Sequence, residues 1–120
     1  MDDLKLCESD YRFMTVVWDC APVGSGELVK LCLERLGWKK STTYTVLKKM
    51  CEKGFAHNEN TVVSSLIPRD KVQAFASEHF VEHTFDGSLP GFLASFLGNR
   101  TISEQEAAEL KRLIDAHRKE

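Results

Sequence analysis

No run in this 120-residue sequence is apolar for long enough to cross a bilayer as a helix. The opening residues, MDDLKLCESD, are too acidic and polar for a signal peptide, so a cytoplasmic protein is expected. Cysteines lack the pattern that would give them chemistry: Cys7, Cys20, Cys32 and Cys51 lie far apart, without CxxC or CxC spacing. They read as reduced, mostly buried thiols rather than a disulfide frame or zinc site. A nucleophile elbow, a P-loop and an HExxH motif are all missing, so neither catalysis nor a cofactor is expected. Internal repeats and low-complexity segments are absent too. Finally, there is no general excess of positive charge, the formal net charge being −2. Residues 1–68 balance nine basic groups against nine acidic ones, and residues 69–120 carry seven against nine. A chain so balanced is not a non-specific DNA coat, and any DNA binding must come from a focused patch.

One such patch exists. Between residues 35 and 53, Arg35, Lys39, Lys40, Lys48, Lys49 and Lys53 face a single carboxylate, Glu52, giving a local charge of +5. Thr43, Val46, Leu47 and Met50 recur at i, i+3, i+4, i+7, which predicts a helix with one face in a core. The opposite face carries Ser41, Tyr44, Thr45 and Lys48, with Lys39, Lys40 and Lys49 beside them. Hydroxyls and amines reach base edges and phosphates, whereas carboxylates would repel them. The plainer reading is a solvated amphipathic helix, and on this stretch alone the two weigh about equally. Lys40 and Lys48 are the candidate phosphate contacts. Tyr44 is the sharpest candidate for a base, because it has no evident core to fill.

The flanking sequence supplies a frame. Ser9 can cap a first helix from Asp10 to about Asp19, with Tyr11, Met14, Val17 and Trp18 as its apolar stripe. Pro22 and Gly24 break it. A second helix runs from Gly24 or Ser25 to Leu36, with Leu28, Leu31, Cys32 and Leu36 inward, and Gly37 suits the left-handed position that ends it. Trp38 is expected to pack the second helix on the third, the alternative being a place near the DNA backbone. Two helices joined by a tight glycine-bearing turn, the second basic outside, make a helix-turn-helix. Gly54 closes the third helix. Phe55–His57 and Thr61–Ile67, around an Asn58-Glu59-Asn60 turn, read as a two-stranded hairpin, a wing, ending at Pro68.

Beyond Pro68 the character changes. A helix from about Asp70 to Thr84 places Val72, Phe75, Ala76, His79 and Phe80 along one side. After the Asp86-Gly87-Ser88 turn, Ser88 can cap a fifth helix bearing Leu89, Phe92, Leu93, Phe96 and Leu97. Following Gly98-Asn99-Arg100, Ser103 and Glu106 fit a capping box for a last helix with Ala107, Leu110, Leu113 and Ile114 inward. About fifty residues seldom bury enough surface to fold alone. A symmetric dimer with Phe75, Phe80, Phe92, Phe96, Leu97, Leu110 and Ile114 in a shared core answers that, and a dimer gives two winged helices for a palindromic site. The expected fold is therefore mainly α with a small β-hairpin: a winged helix-turn-helix over 1–68 and a three-helix dimerisation region over 69–120.

Taken in order, Glu8-Ser9-Asp10-Tyr11, Met14, Val17-Trp18, Gly37-Trp38, Thr42, Thr45, Leu47, Lys53-Gly54, Pro68, Phe85-Asp86-Gly87-Ser88, Phe92 to Phe96 and Ile102-Ser103-Glu104 resemble the penicillinase repressors, a family of winged-helix repressors. No single motif is specific; the order and spacing together are. The resemblance implies a homodimeric cytoplasmic repressor of pseudo-palindromic operators with TACA/TGTA elements, with Thr42 on the DNA-reading helix. It also implies derepression when a membrane sensor-protease, activated by β-lactam, leads to cleavage in the dimerisation region. The family's cleaved bond commonly joins Asn to Phe, and the matching pair here is Ser95-Phe96. Family wings often carry basic tips, whereas Asn58-Glu59-Asn60 is neutral to acidic. A sister branch senses copper through C-terminal CxC motifs, which this sequence lacks.

The alternative is a metal- or redox-responsive regulator of the same fold. His79 and His83 stand at i, i+4 and could share a metal on one helix face. No thiol or carboxylate spacing nearby completes a tetrahedral set, so two interface or surface histidines are the expected reading.

Overall fold

The computed structural model describes residues 4–119. Among these, six helices and three short strands follow one another. They are α1 (Glu8–Cys20), β1 (Val23–Gly24), α2 (Ser25–Leu36), α3 (Lys40–Glu52), β2 (Ala56–Glu59), β3 (Val62–Ser65), α4 (Arg69–Phe85), α5 (Leu89–Leu97) and α6 (Glu104–Ala116). The chain is mainly helical with a small antiparallel sheet, a winged helix followed by further helices. No helix among the described residues is long and apolar enough to cross a membrane. Two compact units are present, the first ending at Phe80 and the second beginning at Val81.

In the first unit α1 is the hub, packed against α2, α3 and β3. Met14 and Val17 of the expected stripe are buried, and so are Phe13 and Val16, which lie off it. A helix covered on several sides needs a wider apolar face than a surface helix does. The helix also starts earlier than Ser9 suggests, since Cys7 occupies the cap position and makes no side-chain capping bond. Leu28 and Cys32 of α2, Thr43, Leu47 and Met50 of α3, Phe55, Val63 and Val72 complete the core. Burial pushes the Cys32 thiol above its usual range. Val72 belongs to α4, so the start of that helix is part of the first unit's core.

The wing has a third strand that periodicity did not reveal. The sheet order is β1-β3-β2, with Val23 opposite Val63 and Ala56 opposite Ser65. β1 is only two residues long, too short to show alternation. Glu59 pairs with Val62, leaving a two-residue turn of Asn60 and Thr61. Both have positive φ, 53° and 62°, as a primed hairpin turn demands. A β-branched threonine is unusual there, which explains why the sequence points to a turn at 58–60 instead.

The second unit is different in kind. None of the residues of α5 or α6 is buried. The expected caps are present: Ser88 Oγ accepts from Gly91 N–H and Ser103 Oγ from Glu106 N–H, both at 3.0 Å. Phe85 meets Phe92 edge-on at 5.6 Å, and Phe92 lies 6.0 Å from Phe96. Nevertheless Leu89, Phe96, Leu110, Leu113 and Ile114 remain largely exposed.

Candidate nucleic-acid interface

The turn between α2 and α3 fixes where α3 points. Gly37 sits at φ 71°, ψ 24°, a left-handed conformation that glycine adopts without steric cost. Its N–H donates to Leu33 O at 3.0 Å and Trp38 N–H to Cys32 O at 3.3 Å, using carbonyls that the helix end leaves free. The Trp38 ring then stacks on Phe13, centroids 6.1 Å apart and planes 4° from parallel. Trp38 is thus a packing residue, but its ring contact is with the first helix rather than between the second and third. Trp18 is half-buried and donates from Nε1 to Ile67 O at 2.9 Å. The Trp38 stack on Phe13 ties the start of α3 to α1.

The outer face of α3 is polar throughout. Lys39, Lys40, Ser41, Thr42, Tyr44, Thr45, Lys48 and Lys49 are all exposed. The first turn of α3 contains no acidic residue, and the Lys39 cap makes no side-chain capping bond. First-turn amides lack acceptors within a helix, so this end carries both lysines and free donors toward an anion. Lys40 Nζ lies 6.0 Å from the centroid of the Tyr44 ring, which holds the phenol beside the N-terminal cation.

The two flanks of α3 differ. On the wing side, Tyr44, Leu47, Lys48 and Cys51 face Ala56, His57 and Asn58 of β2, and Leu66, across an open cleft of about 510 Å³. Burial raises the Cys51 thiol above its usual range, so it is not an activated nucleophile. On the α1 side, Lys49 Nζ lies 2.8 Å from Asp10 Oδ2. Asp10 is 2% exposed. Its hydrogen bond holds the Lys49 ammonium above its ordinary pKa. The sequence reading missed Asp10; the clue was a carboxylate four positions from Met14, on the helix's core side. On β2, His57 Nε2 lies 3.4 Å from Glu59 Oε1.

Below the helix-turn-helix, Asp19 joins three elements. It accepts from Arg35 of α2 at 2.9 Å and from Arg69 of α4 at 2.5 Å, and Arg69 also lies over the Trp18 ring at 5.5 Å. Hydrogen bonds from Arg69 and then Arg35 hold the Asp19 carboxyl below its ordinary range. Among the described residues no group of three His, Cys, Asp or Glu side chains could hold a metal. His79 stacks on Phe75 at 5.7 Å, the two half-buried on α4.

The sequence profile of the penicillinase repressor family matches residues 6–116. The chain is 23% identical over 119 residues to a penicillinase repressor of Bacillus licheniformis, covering 95% of this chain and 92% of that one. It is 23% identical over 116 residues to an uncharacterized 16.5 kDa protein from the ptsI 3′ region of Latilactobacillus sakei, covering 93% and 80%. The methicillin resistance regulatory protein MecI of Staphylococcus aureus is 16% identical over 115 residues, covering 92% and 94%.

Proposed function

The chain belongs to the penicillinase repressor family of DNA-binding transcriptional repressors, and from that premise we propose that it acts as a homodimer on a palindromic duplex operator. The observation that carries this reading is the outer face of α3. It is polar and basic, free of acidic groups in its first turn, and held by a closed core beneath. Placed in the major groove, Ser41, Thr42, Tyr44 and Thr45 read base edges while Lys39, Lys40 and Lys48 contact phosphates. The wing adds little phosphate contact, because Asn58, Glu59 and Asn60 offer no cation.

The second unit supports the dimer part of this reading. Its helices bury nothing fully, while large apolar side chains line α5 and α6. A second copy laying the same faces against these would complete a core from Phe92, Phe96, Leu97, Leu110 and Ile114. Two half-sites held by one dimer bind at high effective concentration, so anything that opens the dimer releases DNA without touching a base contact. Ser95 and Phe96 are both exposed near the end of α5, and a cut between them would strip Phe96, Leu97 and α6 from the shared core. A membrane sensor-protease acting at this point fits derepression of a β-lactam-resistance or related stress operon.

The test is a mobility shift on one operator and on random duplex, with intact chain and chain ending at Ser95. Intact protein should bind the operator preferentially and as a dimer, and the shortened chain far more weakly. Tyr44→Ala or Thr45→Ala should change base preference more than salt dependence. Sequence-blind binding by the intact chain would remove this reading.

A further inference from the structure

Lys48 and Lys49 are neighbours in sequence but not in role. Consecutive residues on an α-helix leave it about 100° apart. Here that turn sends Lys48 to the flank facing the wing, where it lines the cleft against β2. It sends Lys49 to the flank facing α1, where the Asp10 carboxylate receives it at 2.8 Å. A helix in the major groove has a phosphate backbone on each side, and the two lysines leave α3 toward different flanks. Only one of them is available.

The acid is unusual for its place. A carboxylate 2% exposed is costly unless its charge is answered. Two features answer it. Asp10 lies in the first turn of α1, where the helix dipole favours a negative charge. The second is Lys49, whose own side chain stays 46% exposed while its ammonium reaches down to the acid. The elevated pKa of Lys49 accords with an ammonium already satisfied by an anion.

We infer that Asp10 is a specificity-determining residue of the DNA interface: an internal stand-in for phosphate that withholds Lys49 from the DNA backbone. This rests on the proposal that α3 is the DNA-reading helix. Phosphate contacts raise affinity for every sequence alike, so each one withheld leaves discrimination more dependent on base-edge contacts. The same ion pair ties α3 to α1 and so fixes the angle at which Ser41, Tyr44 and Thr45 are presented. Asp10 acts through Lys49 and touches no DNA itself.

The experiment compares the full-length wild type with Asp10→Asn, Lys49→Gln and the double variant, on operator and random duplex, from 50 to 200 mM salt. Asparagine keeps the shape of Asp10 and drops its charge. Each released lysine that finds a phosphate steepens the slope of log K against log salt by about 0.9, so by about 1.8 for the two chains of a dimer. Across this salt range that is an additional loss of about 12-fold in affinity. Asp10→Asn should therefore bind random duplex more tightly at 50 mM salt and discriminate the operator less. The double variant should return to the wild-type slope. Lys49→Gln alone should keep the wild-type slope, because the lysine it removes contacts no phosphate; circular dichroism of each variant verifies that the protein compared is folded. A shallower slope for Lys49→Gln would overturn the inference, as would an Asp10→Asn protein whose slope is unchanged. If Asp10→Asn is too unstable to assay, the Lys49→Gln slope decides alone. A wild type indifferent to both sequence and salt would instead overturn the DNA reading beneath it, and the inference would fall with that reading.

Discussion

Phe96 offers the sharpest separation between folding of one chain and assembly of two. In the single chain its side chain is left 57% exposed, on a helix with no fully buried residue. A phenylalanine presents about 200 Å² to be covered, so about 110 Å² remains for a partner to bury. At about 25 cal/mol per Å² that is about 3 kcal/mol for each copy and about 6 kcal/mol for the two in a dimer. Replacing Phe96 by alanine should therefore raise the dimer dissociation constant by about four orders of magnitude. The winged helix shares none of this surface loss, since its core lies in the first unit around Phe13, Phe55 and Leu28. Sedimentation across nanomolar to micromolar concentration measures the first quantity, and the far-ultraviolet melting curve of the same samples follows the second. Operator affinity should fall along with dimerisation. A Phe96→Ala chain that stays dimeric at nanomolar concentration would refute the reasoning, and so would a wild type that is monomeric at micromolar concentration.

Two further outcomes test the scaffold. Phe13 is fully buried and stacked on Trp38, so Phe13→Ala should cost about 3–5 kcal/mol in urea unfolding and loosen the seat of α3; a loss below about 1 kcal/mol would show the ring is not part of the core. Asp19 has a carboxyl pKa held below the ordinary 3.8 by Arg69 and Arg35. Its contribution is fully present above that ordinary value and is lost as pH falls through the depressed folded value. Asp19→Asn should thus reduce stability at neutral pH and flatten its fall in acid below about pH 4; a variant with the wild-type acid profile would contradict the linkage.

How much of this was legible beforehand follows from what each signal depends on. The helix-turn-helix is written locally, in the 3.6-residue period of α3 and Gly37 at its turn, and so are the caps of α5 and α6 at Ser88 and Ser103, because each needs only a few neighbouring residues. The winged-helix family could likewise be read from the spacing of many weak matches, and the profile match over residues 6–116 supports it. What was not legible depends on residues far apart in the chain. β1 exists because Val23 meets Val63 across forty positions, and two residues carry no alternation of their own. Phe13 lies outside a narrow stripe and is buried because α1 is enclosed by several elements. Asp10 reads as a helix-start carboxylate until α3 is folded against it. Lys48 and Lys49 count alike in the local charge, while the helix turn decides which flank each one occupies.

The proposed DNA interface on α3 stands or falls on the salt dependence of operator binding. With Lys39, Lys40 and Lys48 of each chain on phosphates, a dimer should show a slope of about −5 in log K against log salt. Lys48→Ala should make it shallower by about 1.8 while leaving the ratio of operator to random affinity nearly unchanged. A wild-type slope near zero, or a Lys48→Ala slope equal to that of the wild type, would contradict the placement of this helix against DNA.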